Sequence, residues 1–254
     1  MTEAGVPTLD SLAIELWADC ADLEHLTRLA ADPRIKGFTT NPTLMRKAGV
    51  LDYEAFAHQA LAIAGDRPIS FEVFSDDFDE MAQQARTIAS WPGNVFVKIP
   101  VTDTAGRSAA PLISALAADG INLNVTALTT VEQVEQVGQA LDPRTPAYVS
   151  VFAGRIADTG RDPMPYMQES LDILSSLPLA QLIWASPREL LNIFQANALG
   201  CHVITVTPDV LAKLGLVGKD LSLFSVETVR MFYDDAAAAG FTIAVERPTQ
   251  AEVV

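Results

Sequence analysis

The chain has 254 residues, of which 32 are acidic and 17 are basic, so its formal net charge is −15. This length suits one large domain or two small ones, and with 49% hydrophobic and 19% charged residues the chain can bury a sizeable core. The acidity argues against nucleic acid and membranes as partners, because binding phosphate backbones or anionic lipids usually needs a basic face.

Short β-branched runs alternate with helical stretches along the whole chain. Each run is rich in Val, Ile and Phe and is followed by a polar or turn-forming segment, which is the pattern of a buried strand. In chain order, the predicted strands are 12–18, 36–40, 69–74, 95–99, 121–125, 147–152, 181–185 and 202–206.

Helical patterns fill the gaps between these strands. The acidic run 76–80 stands where a helix should start, because acidic side chains complement the helix dipole there; we interpret it as a solvated helix start and not as a metal site. The stretch 107–118 is rich in Ala and Leu. The stretch 131–141 carries an apolar stripe, and Thr130 with Gln133 predicts a capping box at its start.

The last predicted helix, 225–239, ends at Gly240. Eight strand–helix units in about 250 residues is the count of a (β/α)8 barrel. An open doubly wound sheet is the alternative, but it favours a Gly-rich phosphate turn after the first strand, and the sequence has no such motif. We therefore predict an α/β fold with a single TIM-barrel domain over 1–254, a short N-terminal extension (about 1–11) and a C-terminal tail (about 241–254).

The remaining composition points to a reducing compartment. The two cysteines, Cys20 and Cys201, cannot build a disulfide framework. No apolar run approaches the roughly 18 residues of a membrane span, and the acidic first residues do not resemble a secretory signal. We expect a soluble, cytoplasmic protein. Three histidines far apart in sequence leave little material for a metal site, so we predict none: His25, His58 and His202.

In a barrel, side chains at the carboxyl ends of the strands converge over one mouth, where function collects. Polar residues stand at or just after every predicted strand. They are Asp19, Thr39, Thr40, Asn41, Glu72, Lys98, Asn124, Thr126, Ser150, Arg155, Ser186, Arg188, Thr205 and Thr207.

Lys98 is the most informative of these residues, because it interrupts the apolar run VFVKIP. A desolvated lysine can attack a carbonyl and form a Schiff base; an exposed lysine at a strand end is the plainer interpretation. Glu72 and Asp19 also follow apolar residues, which suits carboxyl groups that exchange protons with a substrate. Each of them could equally be a structural ion-pair partner of Lys98.

A second pattern indicates an anionic ligand. The segment Ser186-Pro187-Arg188-Glu189 has the residues of an N-cap, a proline at the first helical position and a capping box. A helix starting there would direct free N–H groups at the mouth, which suits a phosphate. Arg155, after the sixth strand, could supply a second clamp. External ion pairs are the alternative for both arginines.

The motifs FTTNPT, FEVF, VKIPVT, LNVT, SVFAGRI and WASPRE, in this order and spacing, resemble the transaldolase family, which includes the small fructose-6-phosphate aldolases. The similarity runs from about residue 12 to about residue 240. The resemblance implies a class I aldolase barrel that needs no cofactor and carries its Schiff-base lysine on the fourth strand, at Lys98.

The resemblance also implies roles for the other residues of the mouth. Asp19 would move protons at the substrate hydroxyl during carbon–carbon cleavage, and Glu72 with Thr126 would hold the water of Schiff-base formation. The remaining residues would bind the substrate: Thr39, Asn41, Asn124 and Ser150 the dihydroxyacetone portion, Arg155, Ser186 and Arg188 the phosphate, and Phe152 as a wall of the pocket.

Glu72 and Phe152 resemble the transaldolase members, since the aldolase members have Gln and Tyr at these places. The expected activity is transfer of a dihydroxyacetone unit from a ketose phosphate, such as sedoheptulose 7-phosphate or fructose 6-phosphate, to an aldose phosphate. The alternatives are an aldolase that releases free dihydroxyacetone and a barrel that binds sugar phosphates without converting them. The resemblance further implies a homo-oligomer and a place in carbohydrate metabolism, in the pentose phosphate pathway.

Overall fold

The computed structural model of the protein describes residues 8–245. Its eight strands are parallel and close into a barrel in chain order, with β8 pairing back onto β1. This confirms the predicted (β/α)8 fold. The strands are β1 Glu15–Asp19, β2 Ile35–Thr39, β3 Ile69–Glu72, β4 Val95–Pro100, β5 Leu123–Leu128, β6 Ala147–Val151, β7 Ala180–Trp184 and β8 Val203–Val206.

Helices follow the strands around the outside of the barrel and bury their apolar faces against it, in one continuous core with the outward side chains of the strands. Short 3-10 helices cover Leu9–Ser11 and Ala212–Leu216. The α-helices of this region are α1 Leu23–Ala30, α2 Pro42–Lys47, α3 Tyr53–Ala64, α4 Phe78–Ala89, α5 Ala110–Ala118, α6 Val131–Ala140, α7 Ala153–Asp158, α8 Met164–Leu174, α9 Leu191–Leu199 and α10 Pro208–Leu211.

Two of the predicted helix starts are confirmed. The capping box of α6 forms, with Thr130 and Gln133 satisfying each other's backbone N–H groups. In the acidic run 76–80, the Asp77 side chain accepts a hydrogen bond from the backbone N–H of Glu80 and caps α4. Acidic residues in this first turn also complement the helix dipole.

The described chain divides into two compact units, 8–215 and 216–245. The first contains the barrel. The second contains one long helix, α11 (Leu221–Ala238), which begins four residues before the predicted start because Asp220 caps it by accepting from the N–H of Leu223. No helix within 8–245 is both long and apolar enough to cross a bilayer.

The division into one domain over 1–254 stays a prediction. The first seven residues of the expected N-terminal extension and residues 246–254 of the expected tail lie outside the described residues. Cys20 and Cys201 are both buried free thiols.

Alternation along the strands sorts the inward-facing side chains of the barrel into four layers, each built from every second strand. From the bottom to the mouth, the lower layer is Gly37, Phe96, Tyr148 and Val203, the middle layer Trp17, Ser70, Asn124 and Ile183, the upper layer Thr39, Lys98, Ser150 and Thr205, and the rim layer Asp19, Glu72, Thr126 and Ala185.

Aromatic rings fill the bottom half of the barrel. Trp17 is fully buried, and its ring meets Tyr148 edge-on at a centroid distance of 4.6 Å. Tyr148 in turn lies 4.5 Å from the ring of Phe96. Gly37 makes room for the indole, because a Cβ atom there would stand 2.4 Å from Cε2 of Trp17. The interior is therefore a packed core below the upper layer, and the site is confined to the mouth.

Candidate active site

A cavity of about 670 Å³ opens at the carboxyl ends of the strands. Its position agrees with the general location of sites in this fold. Among the residues that line it are all of the predicted site residues except Asn124, namely Asp19, Thr39, Asn41, Glu72, Lys98, Thr126, Ser150, Phe152, Arg155, Ser186 and Arg188.

Lys98 lies at the floor of this cavity and is only 5% exposed. Its Nζ atom donates a hydrogen bond of 3.0 Å to the carbonyl oxygen of Thr40 and lies 3.3 Å from Oε2 of Glu72. Strand pairing produces this contact, since Lys98 on β4 is the register partner of Glu72 on β3. The amine is thus a buried, hydrogen-bonded group with a carboxylate beside it, which excludes the exposed strand-end lysine.

Asp19 ends β1 and lines the same cavity. Its Oδ1 atom accepts a hydrogen bond of 2.8 Å from the Thr39 hydroxyl, and the Asn41 amide lies 3.4 Å from Oδ2. Burial raises the pKa of the Asp19 carboxyl above its ordinary value, against the opposing effects of the Lys98 ammonium and of the hydrogen bonds from Thr39 and Asn41. A carboxyl with a raised pKa is suited to accept and return a proton.

Asn124 lies one layer below the cavity wall and is fully buried. Its amide nitrogen donates to Oγ of Ser70 at 2.9 Å, and its carbonyl oxygen accepts from Oγ of Ser150 at 2.7 Å. Asn124 therefore orients Ser150, which does line the cavity. Thr126 lies two residues further along β5 than Asn124. Unlike the side chain of Asn124, its buried Oγ1 atom has no hydrogen-bond partner within residues 8–245.

Backbone strain is concentrated at this cavity. Within the described chain, the only non-glycine residues with positive φ are Ala127 (66°) and Ser186 (60°), and both line the mouth. Ala127 lies where the register between β5 and β6 shifts, directly after Thr126. A left-handed conformation at such residues costs of order 1–3 kcal/mol and recurs at functional sites.

The predicted helix start at 186–189 is wrong. Helix α9 begins at Leu191 and has no side-chain cap. The N–H groups of Arg188 and Glu189 donate to the side-chain oxygen of Asn192, at 2.8 and 3.1 Å, so these two groups are not free for a phosphate. Ser186 has a positive φ, and its carbonyl oxygen lies so close to Gly154 that a Cβ atom there would stand 1.6 Å from it.

Both predicted arginines stand at the rim of the cavity. Arg188 forms a bidentate pair with Asp158 of α7, with 2.9 Å between Nε and Oδ1 and a short contact between Nη2 and Oδ2. Hydrogen bonds from Arg188 lower the pKa of the Asp158 carboxyl. Arg155, on the same helix as Asp158, has no hydrogen bond or ion pair to any residue in 8–245 through its side chain. The ion pair that the sequence left open for both arginines therefore forms at Arg188, and among residues 8–245 it does not form at Arg155.

Several contacts of the site have no local signal in the sequence. Asp158 and Asn192 act on Arg188 from separate helices, and Thr205 of β8 contacts Thr39 across β1 with 2.5 Å between the two Oγ1 atoms. Alternation along β8 does place Thr205 in the mouth, but its partner depends on how the barrel closes. Among residues 8–245, no group of three or more His, Cys, Asp or Glu side chains is arranged to hold a metal ion.

Comparison with known proteins assigns this barrel to a family. The family model described as Transaldolase/Fructose-6-phosphate aldolase matches residues 16–247. The chain belongs to the transaldolase/fructose-6-phosphate aldolase family, as the motifs indicated.

The chain is also similar to curated relatives over most of their length. It is 33% identical over 202 residues to a protein of Dehalococcoides mccartyi named "Probable transaldolase", covering 79% of this chain and 90% of that one. It is 32% identical over 202 residues to "Probable transaldolase 2" of Listeria monocytogenes, covering 79% and 88%. A crystal structure of mandelate oxidase with benzoyl-formic acid shares only the fold, with a TM-score of 0.52, 12% identity and coverage of 82% and 68%.

Proposed function

We propose that the protein is a transaldolase, which transfers a dihydroxyacetone unit from a ketose phosphate to an aldose phosphate through a Schiff base on Lys98. Sedoheptulose 7-phosphate and fructose 6-phosphate are the proposed donors. The observation that carries the proposal is the buried Lys98 amine, 3.3 Å from the Glu72 carboxylate, at the floor of a cavity that also holds Asp19.

The first step joins the donor to the enzyme. The Lys98 amine, once its extra proton has passed to Glu72, attacks the ketone carbon of the sugar. One proton of the amine and the proton held by Glu72 then pass to the former carbonyl oxygen, which leaves as water, and a protonated imine remains. Glu72 is within reach of Nζ for that proton. The Thr126 hydroxyl, which makes no other hydrogen bond within residues 8–245, would hold the departing water together with Glu72.

The second step breaks the carbon–carbon bond. Asp19 removes the proton of the hydroxyl on the carbon beyond the bond, that hydroxyl becomes an aldehyde, and the bonding electrons flow into the imine to form an enamine. The aldose phosphate then leaves. An acceptor aldehyde is attacked by the enamine, Asp19 returns its proton to the new hydroxyl, and water releases the product from Lys98. The protonated imine accepts the electrons throughout, so no cofactor enters the proposal.

Substrate recognition follows from the layout of the cavity. Thr39, Asn41 and Ser150 would bind the dihydroxyacetone portion near Lys98, with Asn124 acting on Ser150 from below. Arg155 and Arg188 would bind the phosphate at the rim, together with the hydroxyl of Ser186. Phe152 lies in the cavity wall and would exclude water from the bound carbon chain. A guanidinium binds phosphate through two parallel hydrogen bonds, which fits the anionic end of the substrate.

Borohydride reduction during turnover tests this function. With fructose 6-phosphate as donor, mass spectrometry should find a dihydroxyacetone-sized adduct on the peptide that contains Lys98. A panel of ketose phosphates then identifies the preferred donor in the same measurement. An adduct on Lys36 or Lys213 would contradict the assigned nucleophile, and no adduct with any donor would favour a barrel that binds sugar phosphates without converting them.

We also propose that copies of the chain associate into a homo-oligomer in the cytoplasm. Helix α11 carries many large apolar side chains, among them Leu221, Val229, Phe232 and Tyr233, which could supply a surface for association with a second copy. Apolar side chains of this kind are common in interfaces between copies of a chain. Light scattering coupled to size exclusion should give a mass above the 27.3 kDa of one chain, and a monomer at micromolar concentration would contradict the proposal.

A further inference from the structure

Thr205 is a buried polar residue of the upper layer that the proposed reaction does not use. It is 6% exposed and lines the cavity from β8. Its Oγ1 atom lies 2.5 Å from Oγ1 of Thr39, and the same Thr39 oxygen lies 2.8 Å from Oδ1 of Asp19. Three oxygens from three strands therefore form one continuous hydrogen-bonded chain that ends on the acid.

The direction of this chain follows from counting protons. A threonine hydroxyl has one proton to donate, whereas an ionised carboxylate can only accept. While Asp19 is ionised, the contact with Thr39 requires the Thr39 proton. The contact between the two threonines then requires the proton of Thr205. Thr205 is thus the donor to Thr39, and Thr39 is the donor to Asp19.

The closure of the barrel brings these groups together. Asp19 is the register partner of Thr39 between β1 and β2, and Trp17 is the register partner of Thr205 between β1 and β8. Thr39 and Thr205 therefore flank β1 at the same level, in the upper layer, with the carboxylate of Asp19 just above them.

We propose that Thr205 is a positioning residue for Asp19: by donating to Thr39 it strengthens the hydrogen bond from Thr39 to the carboxylate and favours the ionised acid. The inference rests on the proposed function, in which ionised Asp19 removes the proton of the donor hydroxyl. A hydroxyl that accepts a hydrogen bond becomes a better donor, so the effect of Thr205 passes through Thr39.

The electrostatic surroundings determine the sign of the effect. Burial raises the pKa of Asp19, and the Lys98 ammonium and the hydrogen bonds from Thr39 and Asn41 lower it. Loss of the Thr205 hydroxyl weakens one of the lowering contributions, so the pKa of Asp19 should rise further. The other charged or titratable groups around the mouth or next to Asp19 are unchanged by this substitution: Cys20, Glu72, Arg155, Arg188 and Asp209.

The test compares variants with and without the hydroxyl. In Thr205→Val, the acid limb of the profile of kcat/KM against pH should move to higher pH, because a base with a higher pKa is ionised only at higher pH. At a pH on that limb, kcat/KM should fall about threefold to tenfold. Thr205→Ser keeps the hydroxyl and should retain the parent profile. Thr205→Ala takes the place of the valine variant if the latter does not fold.

Thr145→Val is the matched control. Thr145 is also buried, but its hydroxyl donates to the carbonyl oxygen of Ala117 at 2.9 Å and lies outside the cavity. This variant loses a buried hydroxyl without touching the chain to Asp19, so its acid limb should stay in place. An equal displacement in Thr145→Val would mean that general destabilisation, and not the chain, moves the profile.

A titration of the free protein makes the inference independent of turnover. The carbon-13 resonance of the Asp19 carboxyl, assigned by its loss in Asp19→Asn, should titrate at higher pH in Thr205→Val than in the parent and in Thr205→Ser. This readout is valid even if no donor forms a Schiff base. The same midpoint in all three proteins, or a serine variant shifted as far as the valine variant, would overturn the role of the hydroxyl.

Discussion

The lower and upper layers of the barrel come from the same four strands and differ by two residues along each. The lower layer is apolar apart from one phenol and packs around the Trp17 indole, whereas the upper layer consists of one lysine and three hydroxyl residues. Alternation directs both sets inward, so backbone geometry does not distinguish them. The chemistry of the side chains alone makes the bottom a core and the top a site.

The two layers also differ in what they contribute to stability. Rings and aliphatic chains in the lower half remove apolar surface from water, at about 25 cal/mol per Å². The mouth instead holds a buried ammonium, an acid with a raised pKa and two strained residues, Ala127 and Ser186. Polar groups and strain of this kind are unfavourable for folding. The comparison indicates that the bottom of the barrel stabilises the fold while the mouth is built for binding and chemistry.

The largest effect should come from the lysine of the upper layer. Lys98→Met keeps a long side chain but removes the amine, so transfer activity should fall by at least about 10⁴-fold, or roughly 5.4 kcal/mol. The assay is transfer from fructose 6-phosphate to an aldose phosphate acceptor, with circular dichroism to check folding. Lys36→Met, which removes an exposed lysine of β2, should keep parental activity. More than one hundredth of the activity in Lys98→Met would exclude Lys98 as the nucleophile.

Substitutions in the middle and lower layers should reduce the stability of the fold rather than act directly on catalysis. Trp17→Ala removes a fully buried indole and should lower the free energy of unfolding by about 3–5 kcal/mol, measured in urea. Gly37→Ala should cost about 1–3 kcal/mol, because its Cβ atom meets the same ring. In the double variant Trp17→Ala/Gly37→Ala the indole is absent, so the additional loss of stability from Gly37→Ala should largely disappear. Additive losses would show that Gly37 is required for some reason other than the indole.

The two arginines of the rim should distinguish donors that carry a phosphate from donors that do not. Arg155→Ala or Arg188→Ala should reduce kcat/KM for phosphorylated donors by roughly 10- to 150-fold, since a charge-assisted contact contributes about 1.5–3 kcal/mol. Donors without phosphate should be nearly unaffected. Arg144→Ala removes an exposed arginine that is also paired with an aspartate, Asp142, and serves as the control. Equal losses with both donor types would assign the two rim arginines a structural role.

The smallest effect should come from residues that decide between transfer and release. Glu72→Gln with Phe152→Tyr should slow both reactions, because the carboxylate beside Lys98 is lost, but should raise the ratio of dihydroxyacetone released to dihydroxyacetone transferred a few-fold, a change of about 1 kcal/mol. An amide holds the water at the imine differently from a carboxylate, and a phenol gives that water a hydrogen-bond partner that Phe152 lacks. Phe152→Tyr alone, which keeps Glu72, should give part of this rise in the ratio and should also release more free dihydroxyacetone than the parent when no acceptor is present. A parent that already releases dihydroxyacetone as fast as it transfers it would be an aldolase and not a transaldolase.

Much of the barrel and of its mouth could be predicted from local patterns in the sequence. Short β-branched runs with helical stretches between them are local properties of the chain, and they predicted eight strands, the closed barrel and the position of Lys98, Glu72 and Asp19 at its mouth. The capping box of α6 was equally predictable, because its hydrogen bonds join residues three apart.

The segment 186–189 shows where local reasoning fails. Its residues have the pattern of a helix start, yet the helix begins at Leu191, and Ser186 has a positive φ where its carbonyl group lies close to Gly154. That contact joins residues 32 positions apart in the chain, and no propensity of the segment itself reports it.

The fold, the family and nearly all of the residues that meet at the mouth could be predicted from the sequence, because the order of strand and helix segments and the order of the motifs can be read along the chain. Which of these residues contact one another depends on how the chain packs. Thr205 reaches Asp19 through Thr39 only because β8 closes against β1, and Arg188 meets Asp158 only because α7 lies beside the loop after β7. The physical reason is that hydrogen bonds act over about 3 Å, whereas the partners are separated by up to 166 residues of chain.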